Sequence, residues 1–448
     1  MRAPWTVTLA FVTTLASTAA ADEGLQKGPY LQHLTSSSVD VRVELVAPAP
    51  VSVDVAPESA PDARASAPRT SPRATFHSVH LAGLTAATRY RYAVHVGAAV
   101  VRGSFVTAPP DDSHDPFTFI VYGDNRSDGA AHARVVRAMA RESFDFLVHT
   151  GDFVIAGDDD SAWKSFFDVE APILRDHSVF ACVGNHELTN DREAAHFERY
   201  FGPTEPTSAT APPPIYGSFR WGRARFFLLN AFTDWVAGPE RAWLDAALTR
   251  ADTEAGLDLR VAVMHQGPYS AGPHGSDTDL LAAHIDELLT SHHVDLVVAG
   301  HDHIYERGEA HGLKYIISGG GGAPLYREIS PLPSTRRVEA TYNFVLATVN
   351  DAGVSVVAKR ADGSLIEQCS FARGAAWQCD HPKVGATPPV ARPAPTPSPA
   401  RGGCGCRIAG APPPTGGRLG SFLGAVLAVL TALRRRHASL RLFAGRTS

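Results

Sequence analysis

The chain has 448 residues, of which 44% are hydrophobic and 19% charged, and at roughly 150 residues per domain this length allows two or three domains. These proportions exclude a disordered polar chain and a protein with many membrane spans, and a net charge of -5 is unfavourable for a dedicated nucleic-acid partner. The 20 histidines are numerous, and several stand beside glycine and acidic residues, which favours metal chemistry.

Residues 1–21 predict a secretory signal peptide. Arg2 is followed by an apolar stretch from Val7 to Leu15, and three alanines precede Asp22. We therefore expect the protein to be exported, with a mature chain that begins near Asp22.

Residues 28–110 predict a small β-sandwich. Hydrophobic and polar residues alternate from Val39 to Leu45 and again from Tyr90 to Val96, which is the period of half-buried strands. Turn residues separate these short strands, and Pro109-Pro110 closes the segment as a linker. No cluster of candidate ligands stands in this segment, so we expect it to be a spacer or a packing partner for the next domain.

Residues 115–380 predict an α/β domain, in which apolar strands alternate with amphipathic helices such as those at 131–141 and 280–289. Polar residues that can bind metal follow five of the strands. These strands are Phe117 to Tyr122 before Gly123-Asp124, Phe146 to Thr150 before Gly151-Asp152, Ser178 to Val183 before Gly184-Asn185-His186-Glu187, Val261 to Met264 before His265, and Val294 to Ala299 before Gly300-His301-Asp302-His303. Because the carboxyl ends of strands in open α/β sheets face the ligand crevice, we expect these groups to converge on one site.

These blocks resemble those of the calcineurin-like metallophosphoesterase superfamily, and the block from Gly300 to Arg307 is most similar to the purple acid phosphatases. Residues Pro29 to Gln32, Leu81 to Tyr92 and Ser104 to Thr107 resemble the fibronectin-type-III-like N-terminal domain of that family. The resemblance covers residues 28–370. It implies an α/β metallophosphoesterase sandwich, with two mixed sheets flanked by helices, preceded by a small all-β sandwich domain.

The resemblance also implies a binuclear centre of divalent or trivalent metal ions, with Fe, Zn and Mn as the candidates. In the family such a centre hydrolyses phosphomonoesters by in-line attack of a metal-bound hydroxide. Carried over to this sequence, Asp152 bridges both ions, Asp124 and His303 hold the first, and Asn185, His265 and His301 hold the second.

Three further residues have roles implied by the same resemblance. His186 would stand near the leaving-group oxygen, where it can donate a proton. His274 resembles a histidine that contacts the substrate, and Glu187 is interpreted as a partner that orients a ligand.

Two positions depart from the family's pattern. Ile155 stands three residues after Asp152, where the purple enzymes have a tyrosine ligand, and Arg126 stands two residues after Asp124, where the wider superfamily has a histidine. The first ion is therefore one protein ligand short, and without a tyrosinate the protein should not be purple even with iron bound. The planar guanidinium of Arg126 suits phosphate oxygens, so we predict that it binds the substrate.

The expected function is an exported phosphatase that acts on a small-molecule phosphate monoester. A phosphodiesterase or nucleotidase of the same superfamily remains open, because the same ligands serve either ester. A non-catalytic binding protein displayed at the cell surface is the third hypothesis, and the presence of all six ligand residues argues against it.

The C-terminal residues predict a stalk and a sorting signal. Ten of the 33 prolines lie between Pro382 and Pro414, so we expect residues 381–418 to be extended. An apolar run of 15 residues begins at Leu419 and ends before three arginines, and it is shorter than the ~20 residues of a stable membrane span. With the preceding Cys404 and Cys406, segment 419–436 resembles a MYXO-CTERM-type bacterial sorting tail. That resemblance implies attachment to the membrane or surface of a bacterial envelope, and whether the tail is cleaved remains open.

The remaining cysteines, a run of four glycines and three aromatic residues predict features of the fold rather than of the site. An exported chain can form disulfides, so we predict a bond between Cys369 and Cys379. Cys182 lies in an apolar run and should be a buried small hydrophobe. Gly319 to Gly322 lacks a following Gly-Lys-Ser/Thr and predicts a tight turn rather than a nucleotide-binding loop. The helical spacing of Trp163, Phe166 and Phe167 predicts a core position.

Overall fold

The computed structural model describes residues 24–60, 68–203 and 215–380. The predicted signal peptide, stalk and sorting tail lie outside the described residues. Within the described part of the chain, no helix combines the length and the apolar character that crossing a membrane requires.

The N-terminal part consists of antiparallel strands, namely β1 Leu25–Gln32, β2 Ser38–Pro57, β3 Arg69–Ala82, β4 Arg89–Val96 and β5 Ala99–Val106. The long strand β2 pairs with β1 over its first half, with β4 over its second half and with β3 along both. Its alternating residues Val39, Val41 and Val43 face inward and are buried, as the period of two predicts. The five strands share one hydrogen-bonded network through β2.

The larger part begins at residue 117 and builds two mixed sheets with helices. Its first elements are β6 Phe117–Tyr122, α1 Gly129–Met139, β7 Phe146–His149, α2 Asp160–Leu174, β8 Ser178–Ala181, α3 Ala195–Phe201, β9 Gly217–Trp221, β10 Ala224–Leu229 and α4 Pro239–Asp252. They are followed by β11 Leu259–Met264, α5 Thr278–Ala282, α6 Ile285–Ser291, β12 Leu296–Ala299, β13 Tyr305–Ala310, β14 Leu313–Ser318, β15 Thr335–Glu339, β16 Asn343–Asn350, β17 Gly353–Arg360, β18 Leu365–Phe371 and β19 Gln378–Asp380.

The two sheets pack face to face. One has the strand order β19-β18-β17-β16-β6-β7-β8 and continues into β1, where Leu31 pairs with Ser178, and the other has the order β15-β13-β14-β12-β11-β10-β9. Alternate side chains define the layers, because Phe119 contacts Phe226 of the opposite sheet at 5.1 Å between ring centroids, whereas Ile120 packs towards the helices. This arrangement confirms the predicted fold class of two mixed sheets flanked by helices.

The helices agree with their sequence signals except at one break. Asp128 and Asp159 cap α1 and α2 by accepting hydrogen bonds from backbone N–H groups of the first turn. The predicted aromatic core residues of α2, Trp163, Phe166 and Phe167, are buried. The prediction of one helix over 280–289 is wrong, because His284 has a left-handed backbone (φ 57°) that separates α5 from α6. Apolar periodicity does not detect a break of one residue.

The cysteines lie as predicted. Cys369 on β18 and Cys379 on β19 stand opposite each other in the antiparallel register and form a disulfide. Cys182 is buried and has no disulfide partner among the described residues.

Asp40 on β2 gives the N-terminal strands a pH-dependent contribution to stability. Its carboxylate lies 2.9 Å from His33 Nδ1 and 2.7 Å from His80 Nδ1, and His33 Nε2 lies 2.9 Å from the carbonyl oxygen of Gly202, which follows α3. Burial raises the pKa of Asp40, but hydrogen bonds from the two histidines and the charge of Arg42 outweigh it and lower that pKa to about 2.

We expect Asp40→Asn to reduce the free energy of unfolding near pH 5 by about 1–2 kcal/mol. A carboxyl group whose pKa is depressed in the folded state stabilises the fold above its unfolded pKa, and this contribution disappears as the pH falls towards about 2. Urea unfolding between pH 6 and pH 2, followed by circular dichroism, measures the difference. Asp54→Asn is the matched control, because Asp54 contacts a single histidine, His95, at 3.0 Å. Equal pH dependence of the Asp40 variant and the wild type would contradict the assignment.

Candidate metal centre

The centre lies at the carboxyl ends of parallel strands from both sheets. The loops after β6, β7 and β8 carry Asp124, Asp152 and Asn185, and the loops after β11 and β12 carry the three ligand histidines, His265, His301 and His303. Ligand atoms of Asp124, Asp152 and His265 all lie within 4.8 Å of one another. The structure thus brings together the side chains predicted to converge.

Backbone strain and small residues make this convergence possible. Asp124, Asp152 and His301 have left-handed backbones, with φ values of 59°, 60° and 67°. A Cβ atom on Gly184 would overlap the carboxylate of Asp152, and one on Gly300 would overlap the carboxylate of Asp124. Glycine at these two positions therefore lets the neighbouring loops approach the acidic side chains.

Three polar side-chain atoms lie close to Nε2 of His265. This atom lies 3.3 Å from Asp152 Oδ1, 3.2 Å from Asn185 Oδ1 and 3.2 Å from His301 Nδ1. His265 Nδ1 lies 2.7 Å from the Thr150 carbonyl oxygen, to which it donates, so Nε2 presents a lone pair. Burial lowers the pKa of His265, and burial together with the neighbouring His265 lowers the pKa of His301 to about 3.

A second group of acceptors surrounds Arg126. Asp124 Oδ1 lies 3.6 Å from His303 Nε2, and His303 donates from Nδ1 to the carbonyl oxygen of Pro324 at 2.7 Å. Arg126 donates from Nε to Asp152 Oδ2 at 2.9 Å, and one of its terminal nitrogens lies 3.4 Å from His303 Nε2. The structure therefore pairs Arg126 with the acidic residue predicted to bridge two ions.

The two carboxyl groups of the centre differ in their electrostatic environments. Burial and the charge of Asp152 raise the pKa of Asp124 well above its ordinary value. Burial also raises the pKa of Asp152, but the charges of His265, His186 and Arg126 outweigh it and lower that pKa. Asp152 is thus the carboxylate on which positive charge concentrates.

His186 lies beside Asp152 with one free ring nitrogen. Its backbone N–H donates to Asp152 Oδ1 at 3.1 Å, and its Nδ1 lies 2.7 Å from the carbonyl oxygen of Ile155. Nε2 is then left 3.9 Å from Asp152 Oδ2, on a side chain that is 23% exposed. From this position His186 can exchange a proton with a molecule bound at the centre.

His274 lies at the opposite edge of the centre. Its Nδ1 is 2.9 Å from Asp302 Oδ1, and its ring centroid is 4.1 Å from that of His301. Asp302 also accepts a short hydrogen bond from Ser270. His274 is thus held against a candidate ligand, with its side chain 40% exposed to incoming molecules.

Glu187 organises the loop that carries Asp152. Its Oε2 accepts hydrogen bonds from the backbone N–H groups of Gly184 and Asp152, and its Oε1 accepts from those of Phe153 and Val154, at 2.8–3.2 Å. Burial and the charge of Asp152 raise its pKa to about 8. Its contact with the centre runs through the backbone, so it acts as a positioning residue.

Sequence reasoning missed two supporting residues. Asp302 forms a hydrogen bond with His274, and its position in the sequence between His301 and His303 could have indicated a role at the centre. The ring of Tyr326 stacks on His303 at 4.2 Å between centroids, and no sequence pattern marks it. The predicted turn of Gly319 to Gly322 lies behind the centre, where Gly321 N–H donates to the carbonyl oxygen of Gly123 at 2.9 Å.

The residues fit one metal ion better than two. A carboxylate, an amide oxygen and two neutral imidazoles suit divalent first-row metals, and the group formed by Asp152, Asn185, His265 and His301 supplies these atoms. The first-ion ligands Asp124 and His303 are present, but the guanidinium of Arg126 lies 3.4 Å from His303 Nε2 and donates to Asp152. The side chain of Ile155 adds no ligand atom.

Residues 113–305 match the family model described as calcineurin-like phosphoesterase. Two solved structures share the fold. Purple acid phosphatase PPD1 from yellow lupin has a TM-score of 0.61 and 16% sequence identity, and the match covers 77% of this chain and 73% of that chain. PhoD has a TM-score of 0.62 and 13% sequence identity, and the match covers 80% of this chain and 91% of that chain. The matched family model agrees with the class of enzyme predicted from the sequence, a metal-dependent phosphoester hydrolase.

Curated relatives are similar over part of their length. An uncharacterized protein of Mycobacterium tuberculosis is 27% identical over 315 residues, which are 62% of this chain and 58% of that protein. Purple acid phosphatase 21 of Arabidopsis thaliana is 27% identical over 55% of this chain and 58% of its own, and the phosphoenolpyruvate phosphatase of Allium cepa is 25% identical over 55% and 53%. The chain thus spans little more than half the length of these relatives.

Proposed function

We propose that this protein is an exported, metal-dependent phosphatase that hydrolyses phosphomonoesters in the manner of the purple acid phosphatases. The observation that carries the proposal is the convergence of Asp152, Asn185 and His301 on the lone pair of His265 Nε2, next to an arginine. When bound there, a divalent ion supplies Lewis-acid polarisation of the phosphoryl group and lowers the pKa of water.

The side chains of the centre have distinct tasks in this proposal. Arg126, whose side chain is 14% exposed, contributes a fixed positive charge and planar N–H donors to the phosphoryl oxygens. His186 donates a proton from Nε2 to the leaving-group oxygen, and its Nδ1 contact with the Ile155 carbonyl keeps the ring in that orientation. His274, fixed by Asp302, contacts the far side of the substrate.

Export and surface attachment are part of the same proposal. The residue pattern of 1–21 supports export, and the disulfide between Cys369 and Cys379 suits an oxidising compartment. We further propose that residues 28–110 act as a fibronectin-type-III-like domain and that segment 419–436 attaches the protein to the bacterial envelope. The names of the plant relatives, purple acid phosphatase and phosphoenolpyruvate phosphatase, support a small-molecule phosphate ester as substrate.

The test compares hydrolysis of para-nitrophenyl phosphate with that of bis-para-nitrophenyl phosphate by the metal-loaded protein. We expect faster turnover of the monoester, loss of activity with a chelator and recovery on addition of metal. His301→Ala should abolish turnover, whereas His114→Ala should not, because His114 precedes β6 at the end of the strand opposite to Asp124. Preference for the diester would favour a phosphodiesterase, and inactivity on both esters with metal bound would favour a binding protein.

A further inference from the structure

The guanidinium of Arg126 contacts residues that a binuclear centre would need as ligands of its first metal ion. Three ligand residues predicted for the first ion are Asp124, Asp152 and His303. In the structure the guanidinium donates to Asp152 Oδ2 at 2.9 Å and approaches His303 Nε2 to 3.4 Å. His303 presents a lone pair at Nε2, because its Nδ1 donates to the Pro324 carbonyl oxygen at 2.7 Å. Two of the three predicted ligands of the first ion, Asp152 and His303, thus already face the positive charge of Arg126.

The second position differs because, in the described part of the chain, no arginine or lysine is among the residues within 3.3 Å of His265 Nε2. The atoms around His265 Nε2, within 3.3 Å, belong to Asp152, Asn185 and His301. None of these side chains carries a permanent positive charge. A divalent ion bound among these nitrogen and oxygen atoms would meet no fixed positive charge from their side chains.

Charge and coordination both disfavour a second ion beside Arg126. Guanidinium cannot lose its proton in a protein, so it cannot become a metal ligand, and it would repel a divalent ion placed on the same carboxylate. The alternative ligand position, three residues after Asp152, holds Ile155, whose side chain offers no donor atom and is 51% exposed. Arg126 can instead supply the positive charge that a phosphoryl group needs at this position.

We infer that the centre binds one metal ion, through Asp152, Asn185, His265 and His301, and that the guanidinium of Arg126 takes the place of the second ion. The inference rests on the metal centre of the proposed function but is independent of which ester the protein hydrolyses. It replaces the expectation of two ions with a mononuclear centre assisted by a fixed cation.

The test counts metal ions per chain. We would load the full chain with Mn²⁺, remove the excess by dialysis, and measure manganese by inductively coupled plasma mass spectrometry against protein concentration from amino-acid analysis. The wild type should retain one ion per chain and give the electron paramagnetic resonance spectrum of isolated Mn²⁺. Arg126→His removes the cation and adds an imidazole ligand, so it should retain two ions and give an exchange-coupled spectrum.

Arg134→His is the matched control, because Arg134 lies on α1 with its guanidinium 5.6 Å from the ring of Tyr342. This variant should keep one ion. Two ions in the wild type would overturn the inference, and so would a single ion in a folded Arg126→His variant. If that variant does not fold, the wild-type count decides alone. One ion in a wild type that hydrolyses no ester would refute the proposed function and leave this inference standing.

Discussion

Asp152→Asn is expected to lower kcat/KM for a phosphomonoester by about 1,000-fold and to release most of the bound metal. The carboxylate lies at the middle of the centre, with Oδ1 3.3 Å from His265 Nε2 and Oδ2 2.9 Å from Arg126 Nε. Asparagine keeps the shape but removes the negative charge. One of its two terminal atoms becomes an N–H donor, which then faces either the arginine or the candidate ion.

The decisive measurement combines steady-state kinetics with metal content. Asp351→Asn is a suitable control, because the Asp351 side chain is 73% exposed and contacts Arg223 and His114 outside the centre. The control should match the wild type in both readouts. A variant at Asp152 that keeps its metal and loses less than tenfold in kcat/KM would remove this carboxylate from the proposed centre.

Much of the centre could be predicted because its residues follow buried strands. A run such as Phe117 to Tyr122 shows by composition that it is a strand, and parallel strands bring their carboxyl ends to one edge. Adjacent glycines also signal close approach, as at Gly184 and Gly300. The convergence of residues from Asp124 to His303 therefore follows from local patterns and one general rule of topology.

Contacts set by loop geometry could not be predicted in the same way. The ring of Tyr326 reaches His303 because the segment after β14 folds back over the centre, and its sequence carries no periodic signal. The partner of Arg126 is a second example. The residue type indicates affinity for an anion, but whether that anion is the substrate or Asp152 depends on the left-handed backbones of the loops, which place the two side chains 2.9 Å apart.

His186→Ala should reduce kcat for an alkyl phosphate by about 100- to 10,000-fold, and that for para-nitrophenyl phosphate far less. Alkoxide is a poor leaving group that needs a proton, whereas para-nitrophenolate leaves without one. His186 can supply this proton because its Nδ1 contacts the Ile155 carbonyl at 2.7 Å and its Nε2 faces the centre, 3.9 Å from Asp152 Oδ2. Kinetics with a series of phosphate monoesters of graded leaving-group pKa would show that kcat depends more steeply on that pKa in the variant.

His196→Ala is the control, since His196 contacts Asp191 at 3.0 Å on the outer helix α3. An equal loss for every leaving group would instead assign His186 to holding the Asp152 loop, through the 3.1 Å hydrogen bond from its backbone N–H.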